Sequence, residues 1–229
     1  MKLARGRIQR YAALDSTMTA AASLDPGAVV VADEQTAGLG RHGHAWHSEA
    51  GSGLYVSVVL NPAPLLTLAL GLAAQSAVTD ATGIVCDLRW PNDLMLGSRK
   101  AGGILVQLTD GRAISGIGIN VNHAVFPPDL APYATSLRLY AGRTFSRDAI
   151  FDALLSAIET FTEESADSIL RLFAHASSYA SGRRVTVEMP EGTIEGTTAG
   201  LTNDGFLVVR QDNGTDTLVI AGGVRAAGS

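Results

Sequence analysis

The sequence predicts an α+β chain: a mixed central sheet flanked by helices over residues 1–181, then a small all-β domain over residues 182–229. Three observations carry this. Short apolar runs of strand length alternate with longer stretches of helical period. A strong hairpin signal, Asp110-Gly111, separates two long strand-like arms. Beyond Gly182 the pattern turns to short alternating strands punctuated by Asn203-Asp204-Gly205 and Asp212-Asn213-Gly214.

In chain order, Asp15 or Ser16 is placed to cap a short alanine-rich helix, which Asp25-Pro26-Gly27 stops. Ala28-Val29-Val30-Val31-Ala32 reads as a buried strand, and a second strand is expected over Leu54–Leu60. Leu65, Leu68, Ala69, Leu72, Ala73, Ser76 and Ala77 fall at helical spacing, and Thr82-Gly83 ends that helix with a glycine at C′. Val85–Trp90 reads as a strand. Pro91 cannot donate to a central ladder, so the strand should end there and leave Asn92 and Asp93 at its rim. Gly103–Thr109 and Arg112–Asn120 form the arms of the hairpin, and Gly116 and Gly118 inside the second arm mark a close backbone or ligand approach. Ile150, Leu154, Ile158 and Phe161 make a helical stripe capped by Ser146, and a further helix is expected over Asp167–Ser177. The tail strands, Arg183–Met189, Thr193–Leu201, Phe206–Arg210 and Thr217–Ile220, suggest a closed barrel of SH3-like size.

At 229 residues the chain can bury a full core, and its 46% hydrophobic content is that of a globular protein. A formal charge of −5 without any Lys/Arg run argues against nucleic-acid binding. Cys86 is the only cysteine, so no intrachain disulfide is possible. The N-terminus lacks an apolar signal region, and the longest apolar helix falls short of a membrane span. A cytoplasmic protein is the expectation.

The loop Asp33–Trp46 places Gly38, Gly40 and Gly43, with Arg41, directly after the first buried strand. Glycines let successive backbone N–H groups converge on an anion, and Arg41 adds a permanent cation. Gly38-Leu39-Gly40-Arg41-His42-Gly43 matches the dinucleotide fingerprint in letters only. Turn formers and a strand follow it instead of a helix, and Pro62-Ala63-Pro64 stands where an acidic residue would have to be. With Arg89-Trp90-Pro91-Asn92-Asp93, Lys100 and Gly116-Ile117-Gly118-Ile119-Asn120, the loop supplies cations for a carboxylate or polyphosphate, a carboxylate for a metal or an amine, and amides for a base edge. That set points to nucleotide-dependent activation of an acid.

Gln35-Thr36-Ala37-Gly38-Leu39-Gly40-Arg41-His42-Gly43-His44-Ala45-Trp46, Arg89-Trp90-Pro91-Asn92-Asp93, Lys100-Ala101-Gly102-Gly103-Ile104-Leu105 and Gly116-Ile117-Gly118-Ile119-Asn120 resemble, in order, the motifs of biotin–protein ligases. The resemblance implies a class II synthetase-like catalytic domain with an SH3-like C-terminal domain. It implies that biotin and ATP, with Mg²⁺, give biotinyl-5′-adenylate, and that a lysine of a biotin carboxyl carrier protein takes the biotinyl group. It assigns Ser16, Thr17 and Gln35 to the ureido head, and the glycine loop (Gly38, Leu39, Gly40) with Gly103, Gly116 and Gly118 to the biotin site. Arg41 and Lys100 hold carboxylate and phosphate, Trp46, Asn92 and Asn120 serve the nucleoside, and Asp93 orients or deprotonates the acceptor lysine. Homodimerisation through an edge of the sheet is a further implication. With only the residues before Ser16 available, no helix-turn-helix is expected. A lipoate- or octanoate-handling relative on the same fold is the alternative. This chain departs from the pattern at Met18 (usually Asn), at Leu39 and His44 (commonly Arg) and at Arg89 (usually Lys), which implies weaker loop electrostatics.

Other readings of the same residues stay open. His42, His44 and His47 with Glu49 are either loop residues or a metal site; Cys86 is a small core residue; Trp90 serves core or pocket wall; Asp93 alone would be a turn residue; Gly116 and Gly118 alone would serve packing.

Overall fold

A computed structural model describes residues 3, 8–189 and 192–227. Strands β1 (Ile8–Tyr11), β2 (Val29–Ala32), β3 (Gly53–Leu60), β4 (Asp87–Arg89), β5 (Asp93–Leu96), β6 (Arg99–Thr109) and β7 (Arg112–Asn120) form a seven-stranded sheet in the order β1-β2-β3-β7-β6-β5-β4. The β1/β2 pair is parallel and the remaining pairs are antiparallel, so the sheet is mixed.

Both faces of β3 are buried, which explains its nearly unbroken apolar run. One face packs on α2 (Leu66–Thr82) and α4 (Arg147–Phe161), joining Val56, Val58, Ile117 and Ile119 to Leu70, Leu72, Phe151 and Leu154. The other face meets α1 (Thr17–Ala21), where Met18 and Ala21 pack on Val30, Val59 and Ile114. Helix α1 is too short to cover this face, and the remainder forms the floor of the site.

The helix ends follow their sequence signals. Ser16, Ser146 and Ser165 cap α1, α4 and α5 (Ala166–Ala176) through their hydroxyls, and Gly83 closes α2 in the left-handed region. The sequence reading omits β1, β5, the five-residue α3 (Leu137–Ala141) and β12 (Gly223–Ala226), which are too short to show a period, and it starts β6 at Gly103 instead of Arg99. The strand expected over Val85–Trp90 contracts to β4. Trp90 precedes a cis peptide to Pro91, and its indole is buried and donates to Gly205 O at 2.8 Å, which makes it a core residue. Cys86 lies just outside β4, buried, with its thiol pushed up to about 12 by burial and by neighbouring Asp87.

The tail strands β8 (Ser181–Met189), β9 (Gly192–Leu201), β10 (Leu207–Arg210), β11 (Asp216–Val219) and β12 make an SH3-like antiparallel sheet in the order β11-β10-β9-β8-β12. Among the described residues no ladder joins β11 to β12, so the expected closed barrel is an open one. Register shifts in β8/β9 and β9/β10 curl the sheet without closing it.

Just past β7, His123 is fully buried. Its Nε2 lies 3.2 Å from Tyr55 Oη, which donates to Glu49 O at 3.0 Å, and Phe126 stacks on its ring at 5.0 Å. Burial is the main cause that pushes its pKa from 6.5 to about 4; His47 adds to the fall and Glu49 opposes it. The folded state therefore binds this proton less readily than the unfolded chain, so stability falls as pH drops from 6.5 towards 4. Urea midpoints at pH 7 and pH 4.5 should differ less in His123→Phe than in the parent; equal differences would contradict a neutral buried His123.

Candidate functional site

On the open face of the sheet, the β7 residues Gly116, Gly118 and Asn120 alternate toward a cavity of about 700 Å³, with Gly103 and Lys100 from β6 and Thr17 from α1. Gly118 pairs with Gly103, and Gly116 with Ser57 of β3. Missing side chains at these positions leave a floor on which a ligand can lie against backbone.

At one end a relay of polar side chains is built from three elements. Ser57 Oγ donates to Thr17 Oγ1 at 2.8 Å, and Thr17 Oγ1 and N donate to Gln35 Oε1 at 3.0 and 2.8 Å. Gln35 Nε2 then donates to Ser48 Oγ at 2.8 Å, and Ser48 Oγ to Trp46 O at 3.1 Å. Ser16 is buried as the cap of α1 and lines the cavity beside Thr17.

The glycine loop is a folded hairpin. Trp46 N donates to Gly38 O at 2.8 Å, Gly40 N to His44 O at 2.7 Å, Leu39 bridges Ala45, and Arg41–Gly43 make a 3-10 turn at the tip. A Cβ on Gly38 would stand 2.6 Å from Trp46 O and 2.9 Å from both Gln35 Nε2 and Ser48 Oγ, so this glycine is required by the relay itself. Leu39 and His44 line the cavity at exposed positions, and Leu39 brings no charge to it. Arg41 does: its Nη1 donates to Asn92 Oδ1 at 3.0 Å and reaches Gly222 O of the C-terminal sheet at 3.4 Å. Burial lowers its pKa from the ordinary value and the Asp93 charge opposes that fall.

The charged centre lies in the cavity wall beside this loop. Asp93 Oδ1 is 2.5 Å from Lys100 Nζ, and Oδ2 accepts from Arg89 Nη2 at 2.6 Å and Nε at 3.1 Å. Burial alone would raise the Asp93 pKa, but the Lys100 and Arg89 charges and their hydrogen bonds outweigh it and hold the carboxyl below its ordinary range. Lys100 is also fixed through its backbone, which donates to Tyr133 O at 2.7 Å and accepts from Thr135 N at 2.9 Å, and its ammonium lies 5.3 Å from the Trp46 ring. Arg89 reaches Asp93, its register partner, across the turn of their hairpin, which the sequence reading did not foresee.

Trp46 lies across the floor. A Cβ on Gly118 would stand 2.5 Å from its Nε1 and one on Gly103 3.3 Å from its ring. Nε1 is buried without a partner, a donor left for whatever enters the cavity. Asn92 and Asn120 are buried at the rim, donating to Ile104 O at 2.8 Å and Thr135 O at 3.0 Å.

The structure thus brings the residues expected to form the site to one cavity or its immediate wall, with Gly38 as a support, while Trp90 and Cys86 lie outside it in the core. The sequence reading missed Ser57, Ser48, Phe126 and Tyr133, and it considered His47 only as a loop residue or metal ligand. Strand alternation against Gly116 would have revealed Ser57; the irregular segment holding Phe126 and Tyr133 carries no periodic signal. Among the described residues no group of three or more His, Cys, Asp or Glu side chains could hold a metal ion.

The biotin/lipoate A/B protein ligase family model matches residues 11–123, and the model of the biotin protein ligase C-terminal domain matches residues 180–224. The chain is 33% identical over 204 residues to the bifunctional ligase/repressor BirA of Bacillus subtilis (strain 168), covering 82% of this chain and 63% of that protein's length. It is 31% identical over 210 residues to the biotin–[acetyl-CoA-carboxylase] ligase of Mycobacterium tuberculosis, covering 86% and 77%. A solved structure of biotin protein ligase from Aquifex aeolicus in complex with biotin and ATP superposes with a TM-score of 0.87 at 30% identity, covering 96% of this chain and 99% of that one.

Trp46 and Trp90 are the only tryptophans, and Trp90 is buried while Trp46 opens on the cavity. Trp46→Phe should therefore remove most of the acrylamide-quenchable emission of the native protein; quenching equal to the parent's would contradict this placement.

Proposed function

This chain belongs to the biotin protein ligases, within the biotin/lipoate A/B protein ligase family, and from that premise we propose that it activates biotin with ATP and transfers the biotinyl group to a lysine of a biotin carboxyl carrier protein. The observation that carries the reading is the Lys100–Asp93–Arg89 cluster set against a glycine floor that runs from a polar relay to an amide-lined rim.

In this reading the ureido head lies at the relay of Ser57, Thr17 and Gln35, with Ser16 and Gly38 supporting it and Leu39 and Gly40 closing over it through backbone. The acid chain runs along Gly116, Gly118 and Gly103 beneath Trp46. Its carboxylate and the α-phosphate meet between Lys100 and Arg41, whose charges offset the repulsion of two anions. A carboxylate oxygen attacks the α-phosphorus, the bond from that phosphorus to the β-phosphate bridge breaks, and pyrophosphate leaves. Asn92, Asn120 and Trp46 hold the nucleoside side, where His47, Phe126 and Tyr133 also line the cavity. In the second step a neutral lysine amine attacks the acyl carbon, the bond from that carbon to the phosphate oxygen breaks, AMP leaves, and the surplus proton of the new amide passes to solvent. Asp93, kept ionised by its two cations, orients that amine and accepts its hydrogen bond.

Mg²⁺ is proposed to arrive with the triphosphate. The cavity lining offers one carboxylate, Asp93, already held by Arg89 and Lys100, so the residues do not fit a protein-bound Mg²⁺. A lipoate or octanoate activity relying on a cysteine nucleophile fits less well, because Cys86 is buried with its pKa raised. No helix among the described residues is long and apolar enough to cross a membrane. We place the catalytic domain at 1–181 and the SH3-like domain at 182–229, in the cytoplasm, with no nucleic-acid partner and with homodimerisation through a sheet edge, β1 or β4.

Biotin-dependent exchange of pyrophosphate into ATP tests the activity. The parent should exchange with biotin, and Lys100→Ala should lower the rate at least about 100-fold, the scale of losing a charged group aimed at the transition state. Exchange with lipoate or octanoate but not biotin would overturn the substrate assignment, and an unchanged rate in Lys100→Ala would overturn the role of that lysine.

A further inference from the structure

One side chain without a polar role closes the head-group end of the cavity. Met18 is 5% exposed and lines the cavity next to Thr17. Opposite it stands Gly116, which has no left-handed backbone to explain a glycine. A Cβ there would lie 2.7 Å from Met18 Sδ and 2.9 Å from Cγ, and 3.7 Å from Ser57 Oγ at the start of the relay. The thioether therefore fills the bay that the glycine opens. Behind it stand Val30, Val59, Ile114 and Ala21, each 2% exposed or less, so moving back would mean repacking buried core. On its other side Met18 borders the open cavity, so pressure from the Gly116 side moves it that way at less cost.

On the reading of this cavity as the biotin-activating site, we propose that the Met18–Gly116 contact sets the depth of the head-group end and makes Met18 a specificity-determining residue, excluding heads larger than the fused bicycle by as little as one atom. An unbranched thioether is a deformable wall, and its position here is held by the bay it occupies. It also offers no donor, so an added oxygen facing it would be buried without a hydrogen bond.

The test compares biotin with its sulfoxide, one oxygen larger, by kcat/KM in pyrophosphate exchange. Met18→Ala should narrow the preference for biotin by about tenfold, the scale of one small group in an apolar pocket, mainly through KM. Met18→Leu, which conserves volume, should keep the parent's preference. Gly116→Ala should weaken biotin itself about tenfold, and adding Met18→Ala to it should restore much of that loss, because the new methyl then fills the bay. If Met18→Ala does not fold, Met18→Cys takes its place in both arms. An unchanged preference in the shortened variant, or a double variant no better than Gly116→Ala, overturns the proposal. A parent that exchanges with neither acid fails the activity reading instead, and the depth claim is then decided by the same ratios in calorimetric binding of the two acids.

Discussion

Asp93 sits between Lys100 and Arg89 in the wall of the cavity, and the arrangement of the catalytic domain around the cavity depends on keeping that carboxylate charged and its lysine aimed. A buried ion pair contributes little net stability, since desolvation offsets much of the attraction, so its presence here points to chemistry more than to folding. The surroundings keep it in place. The β4/β5 hairpin brings Arg89 opposite Asp93 in register, and a register shift between Leu94 and Met95 lets β6 turn Lys100 onto the same carboxylate. The chain after β7 returns to pair with Lys100 on both sides of its peptide.

The second constraint is a floor without side chains. Gly116, Gly118 and Gly103 give up packing on one face of the sheet, and two residues from outside the sheet occupy the space: Met18 over Gly116 and Trp46 over Gly118 and Gly103. The opposite face compensates by packing two long helices on an apolar surface. The glycine loop is held by its own hairpin bonds and by Arg41, which ties it to Asn92 and to the backbone of the C-terminal sheet. Leu39 and His44, where the sequence departs from the pattern, line the cavity at exposed positions, and the cations Arg41, Arg89 and Lys100 remain in its wall.

Much of this was legible in the sequence where a local rule decides the structure. Serine caps, the Gly83 stop, the Asp110-Gly111 turn and the two helical stripes all fall where their residues predict, and the ordered motifs place the site residues together. What was not legible depends on partners distant in the chain. Trp90 becomes a core residue because Gly205, in the tail, offers its carbonyl. Ser57 joins the relay through strand register, and Arg89 closes on Asp93 through a hairpin too short to predict. Four of the five tail strands were read to within about two residues and β12 was missed, yet whether they close into a ring is a matter of curvature that no local pattern contains.

The central claim, that this cavity makes and holds an acyl-adenylate before transferring it, is tested most directly by mixing the protein with biotin and adenine-labelled ATP, separating it by gel filtration, and then adding a biotin carboxyl carrier domain. Release of pyrophosphate with label retained on the protein, discharged as AMP when the acceptor is added, is the predicted result. Label that elutes free of the protein although biotin is present, or that is retained equally without biotin, would contradict it.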